Sequence, residues 1–127
     1  MQRESNRVLV LEQVAAGGTG IEAILASAGY ETRAAADHQS SLEIVDTWRP
    51  SAVVVDLRVP DRQGYQLGAA LTRAADAESV PFIFVGDISN LLKETAGVPQ
   101  EMVTTPVDYD LLVRAVARVV RREAVAR

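Results

Sequence analysis

Two carboxylates stand where a short apolar run stops. Glu12 follows Val8-Leu9-Val10-Leu11, and Asp56 follows Ala52-Val53-Val54-Val55. Acids at adjacent strand ends can hold a hard cation such as Mg²⁺ through oxygen ligands. Solvated loop acids fit the spacing equally well. Other chemistries are limited by what the chain lacks. Its 127 residues include no cysteine, one histidine (His38) and one lysine (Lys93), against 12 arginines. Disulfides, thiolate metal sites, cysteine nucleophiles and paired histidine ligands are therefore excluded. A Ser–His–Asp triad would have to use His38, and a catalytic lysine would have to be Lys93. Both residues read as surface positions, His38 in a turn with Asp37 and Lys93 on a short helix.

A glycine cluster is the other chemical candidate. Gly18-Thr19-Gly20-Ile21-Glu22-Ala23 fits the G-x-G-x-x-A dinucleotide pattern. That fingerprint begins almost at a strand end, whereas Gly18 lies seven residues beyond Leu11. A structural reading explains more: glycines are costly inside a helix, so the helix starts late, with Thr19-x-x-Glu22 as a capping box. The alternative keeps the Gly17–Gly20 loop as the phosphate cradle of a flavodoxin-like nucleotide- or small-ligand-binding protein.

The elements that must position these residues alternate. Val8–Leu11, Ala52–Val55 and Phe82–Val85 have strand length and are apolar at every position, as in strands covered on both faces. Glu31–Ala35 and Met102–Thr104 are weaker strand candidates. Helical spacing links Ile21, Ile24, Leu25 and Ala28, then Leu42, Ile44, Val45 and Trp48, with Trp48 as a core residue. A third helix is predicted over Tyr65–Ala74 and a short fourth over Ile88–Ala96. The last carries Leu112, Ala115, Val116, Val119 and Val120, with Asp108 as N-cap. Five β-α units predict an α/β fold, a doubly wound five-stranded parallel sheet with helices on both faces, flavodoxin-like in class. Its ligand crevice lies at the C-terminal strand ends, where Glu12, Asp56, Gly86 and Thr105 fall.

Composition is that of a folded domain, 48% apolar and 24% charged. The domain is expected over 7–122, with a disordered tail at 1–6 and the end of the last helix or a tail at 123–127. No apolar run nears the 18 residues of a membrane span, and Met1–Arg7 lacks an apolar leader. With no cysteine, this fits a cytoplasmic protein. The net charge of −4 argues against direct nucleic-acid binding. Its distribution is uneven: Leu111–Arg127 holds five arginines and one glutamate, a net +4, so the other 110 residues carry −8. Arg114, Arg118 and Arg122 recur at spacings of four and form one stripe.

The run Asp56-Leu57-Arg58-Val59-Pro60-Asp61-Arg62-Gln63-Gly64-Tyr65 resembles the phospho-acceptor segment of response-regulator receiver domains. Val8–Glu12 resembles their first strand and the start of its acidic pair. Ala28-Gly29-Tyr30-Glu31 resembles the turn into their second strand, Pro81–Val85 their fourth strand, and Thr105-Pro106 falls where they place Lys-Pro. The resemblance covers roughly residues 7 to 121. It implies a (βα)₅ signalling domain of a two-component phosphorelay, not an enzyme, with Asp56 accepting phosphate. The implied Mg²⁺ ligands are Glu12, Asp56, the backbone of Arg58 and, more weakly, Gln13. The implied partners are a histidine kinase or phosphotransfer protein, or another protein, with a homodimer as one assembly.

This chain departs from the family at several of those positions. Gln13 replaces the second acid of the pair, Gly86 the switch Ser/Thr, Thr105 the lysine and Met102 the switch aromatic. Of six positions, two keep the expected chemistry. The Arg58 side chain either pairs with Asp56 or Glu12 or points to solvent. The resemblance, so modified, implies a degenerate receiver that is weakly phosphorylated or not phosphorylated, and that acts through protein–protein interaction.

Overall fold

The computed structural model describes residues 6–12, 20–56, 80–86, 101–104 and 108–125. Within them lie five strands and three helices: β1 (Arg7–Leu11), α1 (Ile21–Ser27), β2 (Glu31–Ala35), α2 (His38–Trp48), β3 (Ala52–Asp56), β4 (Phe82–Gly86), β5 (Glu101–Thr104) and α3 (Tyr109–Val125). The helices predicted over Tyr65–Ala74 and Ile88–Ala96 fall outside the described residues.

The five strands form one sheet in the order β2-β1-β3-β4-β5, with every pair parallel. This is the doubly wound arrangement in which the order reverses at β1/β3. The three apolar runs are its central strands. β1 from Val8 on, and all of β3 and β4, are buried, because helices cover both faces and no polar alternation is needed. β2 lies at an edge, and its Glu31 and Arg33 are exposed.

Strand alternation sorts the core into two layers. Val8, Val10, Ala52, Val54, Ile83, Val85 and Val103 face Ile21 and Leu25 of α1 and the apolar stripe of α3, Leu112 to Val120. Leu9, Leu11, Val53, Val55, Phe82 and Phe84 face α2, where Trp48 closes the layer. The Phe82 and Phe84 rings lie 5.3 Å apart in a tilted pair, a favoured aromatic geometry.

The helix starts show how local sequence sets these elements. Asp37 caps α2, its carboxylate accepting from the Ser40 N–H at 2.7 Å. Asp108 caps α3 as the spacing predicts, accepting from the N–H groups of Asp110 and Leu111 at 3.0 and 3.2 Å. At α1 the expected capping box is overturned. The helix does start late, but its N-cap is Gly20, in the left-handed region at φ 87°, with no side-chain cap bond. Glu22, assigned to that box, instead accepts from the Thr32 hydroxyl of β2 at 3.3 Å. A left-handed N-cap suits glycine, which has no Cβ to clash, and it leaves the Thr19-x-x-Glu22 spacing out of register with the first turn.

Trp48 is a core residue, as its spacing predicts, and it is also covered by cations. The guanidinium carbons of Arg7 and Arg33 lie 5.4 and 4.8 Å from its ring centroid. Arg7 also donates to the Trp48 carbonyl at 2.7 Å and pairs with Glu31 at 3.8 Å. A cation at the end of α2 suits the helix dipole and ties that end to the start of β1.

Candidate functional site

The two central strands β1 and β3 bring the predicted acids together. Leu11 pairs with Val55, so one step further along the register Glu12 comes opposite Asp56. Neighbouring strands run about 4.8 Å apart. Both acids follow the alternation of Val10 and Val54 and so lie on the face covered by α1 and α3. Both are buried: Asp56 is 0% exposed and Glu12 4%. The Glu12 N–H donates to the Ala35 carbonyl of β2 at 3.0 Å, which fixes the chain direction as it leaves the sheet.

Asp56 is the last residue of β3 and pairs with Val85, while Gly86 ends β4 opposite Thr104 of β5. From β2 to β5 the C-terminal edge of the sheet is therefore Ala35, Glu12, Asp56, Gly86 and Thr104 in spatial sequence. Gly86 brings only backbone to this edge, with no hydroxyl. Met102 lies on β5 in register with Phe84. Gln13, Arg58 and Thr105 fall outside the described residues, as do Gly17, Gly18 and Thr19 of the glycine cluster. Gly20, the described member of that cluster, caps α1.

Two carboxylates brought side by side at adjacent strand ends can share a cation. A pair of carboxylates with further oxygen donors is a donor set that suits Mg²⁺, which takes one or two protein carboxylates and completes its shell with water or phosphate oxygens. Glu12 and Asp56 fit that requirement. Among the described residues no third His, Cys, Asp or Glu joins them. His38 begins α2, half-buried, three residues after β2 ends at Ala35.

One surface feature escaped the sequence reading. Leu111 is 52% exposed, the large apolar side chain left in solvent among the described residues. The signal was present: Leu111 lies off the Leu112, Ala115/Val116, Val119/Val120 periodicity that marks the buried face of α3.

Comparison with known proteins agrees with this geometry. Residues 8–117 match the family model of the response regulator receiver domain. Among curated proteins the chain is 29% identical over 113 residues to an uncharacterized 76.5 kDa protein of Thiocystis violacea, covering 87% of this chain and 16% of that one. It is 26% identical over 122 residues to the "Probable transcriptional regulator ycf27" of Porphyridium aerugineum, covering 96% of this chain and 50% of the other. The chain thus spans half or less of these relatives' lengths. The fold recurs in the signal receiver domain of a response regulator from Bermanella marisrubri, with a TM-score of 0.77 at 21% identity, over 92% of this chain and 99% of that one. It recurs also in the receiver domain of a sensor histidine kinase from Pseudomonas aeruginosa, solved with a magnesium ion in its active site cleft. There the TM-score is 0.75 at 24% identity, over 91% of this chain and 98% of the other. On the family match across most of its length, with the acid-ended parallel strands that agree with it, this chain belongs to the response regulator receiver domains of two-component signalling.

Proposed function

We propose that Asp56 is the phospho-acceptor of this receiver and that its phosphorylation is slow or absent. The observation that carries the reading is the placement of Asp56 at the end of β3, fully buried, at the sheet's reversal point and in register with Glu12. In the reaction a carboxylate oxygen of Asp56 attacks the phosphorus of a phosphohistidine. The P–N bond breaks, and the leaving imidazole nitrogen takes up a proton. Glu12 and Asp56, with the Arg58 carbonyl and, more weakly, Gln13, are the residues that would hold Mg²⁺. The ion supplies neutralisation of charge on the transferring oxygens.

The slow rate follows from what the chain lacks. A phosphoryl group adds roughly −1.5 to −2 charges. Gln13 offers a neutral oxygen where a carboxylate would bind the cation better. Gly86 has no hydroxyl to bond the phosphoryl group, and Thr105 no charge to pair with it. Loss of one preorganised donor of this kind costs on the order of 3 kcal/mol of transition-state stabilisation. The domain then works as a binding module rather than an enzyme. Its partners are a histidine kinase, a phosphotransfer protein or another protein.

The test is intact-mass spectrometry after incubation with acetyl phosphate and Mg²⁺. Wild type is expected to gain little or no phosphoryl mass. The triple variant Gln13→Asp, Gly86→Ser, Thr105→Lys is expected to gain one group, lost again when Asp56→Asn is added. Rapid stoichiometric phosphorylation of wild type would defeat the slow-rate reading. Phosphorylation of the triple variant that survives Asp56→Asn would defeat the assignment of the acceptor.

A further inference from the structure

The sheet is open along β2. That strand has β1 on one flank, and among the described residues no strand lies on the other. All five residues of β2 pair with β1 in unbroken register, from Arg7–Glu31 to Leu11–Ala35. This ladder fixes which backbone groups face outward. The Glu31 N–H donates to the Asn6 carbonyl at 2.8 Å, and the Ala35 carbonyl accepts from the Glu12 N–H at 3.0 Å. Backbone groups alternate in direction along a strand, so Glu31, Arg33 and Ala35 bond inward to β1. Thr32 and Ala34 present their N–H and C=O groups to the open edge. Such an edge is a template for another strand, and folded proteins block it with proline, lysine, a bulge or repelling charges. Glu31–Ala35 holds neither proline nor lysine, and its register has no bulge. Its two charges, Glu31 and Arg33, share one face and are opposite in sign.

We propose that β2 pairs antiparallel with the β2 of a second copy of this chain, about a two-fold axis at Thr32. Backbone and charge select the same axis. With Thr32 opposite Thr32 of the second copy, two outward-facing residues exchange both of their N–H···O bonds. Glu31 then lies opposite Arg33 of the second copy, and Arg33 opposite its Glu31. These are the non-hydrogen-bonded positions, where side chains come closest, and opposite charges there are stabilising. An axis at Arg33 would instead set two arginines face to face, and like charges directly opposite are destabilising. An axis at Ala34 would set Arg33 against Ala35 and leave both charges without a counterpart. The Thr32 axis thus gives a self-complementary, closed pair. The side chains are placed for it. Arg33 is exposed, with its guanidinium carbon 4.8 Å from the Trp48 ring. Glu31 is 56% exposed with Arg7 at 3.8 Å, so its carboxylate would lie between Arg7 of its own chain and Arg33 of the second copy. On the other face the exposed residues of α1 include Ala23, Ala26 and Ser27, all too short to hold a second copy away. The proposal rests on the fold and is independent of phosphorylation at Asp56.

Sedimentation velocity of the full chain over rising concentration in low-salt buffer is the test. A monomer–dimer equilibrium is expected, shifting to monomer as salt is added. Glu31→Arg and Arg33→Glu each put like charges at both cross-strand positions, and each alone should weaken dimerisation about tenfold. An equimolar mixture of the two variants should form a mixed dimer, because each then meets its opposite charge. Thr32→Pro removes an outward N–H and spares the β1 ladder, so it should give a folded monomer. Amide hydrogen exchange of wild type supplies a second readout. The Thr32 and Ala34 amides should exchange more slowly at high protein concentration than at low, with Glu31 and Arg33 unchanged. Far-UV dichroism checks that each variant is folded, and the exchange measurement decides the matter where one is not. A chain monomeric throughout, a dimer that survives Thr32→Pro, charge variants that do not associate on mixing, or Thr32 and Ala34 exchange independent of concentration would each overturn the proposal.

Discussion

At the scale of single residues, Asp37 shows how one carboxylate both starts a helix and makes stability depend on pH. Its oxygen accepts the Ser40 N–H, and this bonding holds the carboxyl below its ordinary value of 3.8. A depressed folded value means the ionised form is favoured by folding. The contribution is complete above the ordinary value and is lost as pH falls through the folded one. Thermal unfolding followed from roughly pH 2 to 5 should therefore show an acid-side loss that is reduced in Asp37→Asn. Tyr30 behaves in the opposite sense at the alkaline end. Burial raises its phenol above 10.0, with Arg121 opposing, so folding favours the neutral phenol, an advantage that fades as pH rises through the folded value. The acid pair was legible at this scale because each acid ends an apolar run, a pattern that places a side chain at a strand's C-terminal edge. The stacking of Arg7 and Arg33 on Trp48 was not. It joins residues 41 and 15 positions apart in the chain, and no local spacing encodes such a contact.

At the scale of elements, the ends of helices separate what sequence spacing can and cannot show. Asp108 was legible as a cap because an acid precedes the first periodic apolar residue. Replacing it with alanine should lower unfolding stability by about 1 kcal/mol, whereas serine should retain most of it. Denaturant unfolding measures this, with a shifted midpoint and an unchanged slope expected. The start of α1 was misread because a capping-box spacing says nothing about backbone hand, and the left-handed Gly20 moves the helix start by one residue. Strands followed a similar rule. β1, β3 and β4 were plain because two helical layers cover them. β2 was faint because an edge strand with exposed Glu31 and Arg33 interrupts the apolar run.

At the scale of the whole molecule, the parallel sheet has two poles. Glu12, Asp56 and Gly86 gather at the C-terminal edge. α2 runs back across the sheet and delivers its last residue, Trp48, near the start of β1. The five residues of β3 set the separation of the poles at about 13 Å along the strand. The strand order was legible only as a class, since alternation of strands and helices predicts a doubly wound sheet, while the order β2-β1-β3-β4-β5 comes from the three-dimensional pairing. Trp48, the single tryptophan of the chain, lies 5% exposed beneath two guanidinium groups. Its intrinsic fluorescence is thus a reporter of one corner of the protein. Emission should change sharply on denaturation and measurably in Arg33→Ala, yet stay constant when Asp56 is loaded with a phosphoryl group in the rescued triple variant. The tryptophan emission of this receiver is therefore expected to follow the integrity of its fold and not the loading of Asp56.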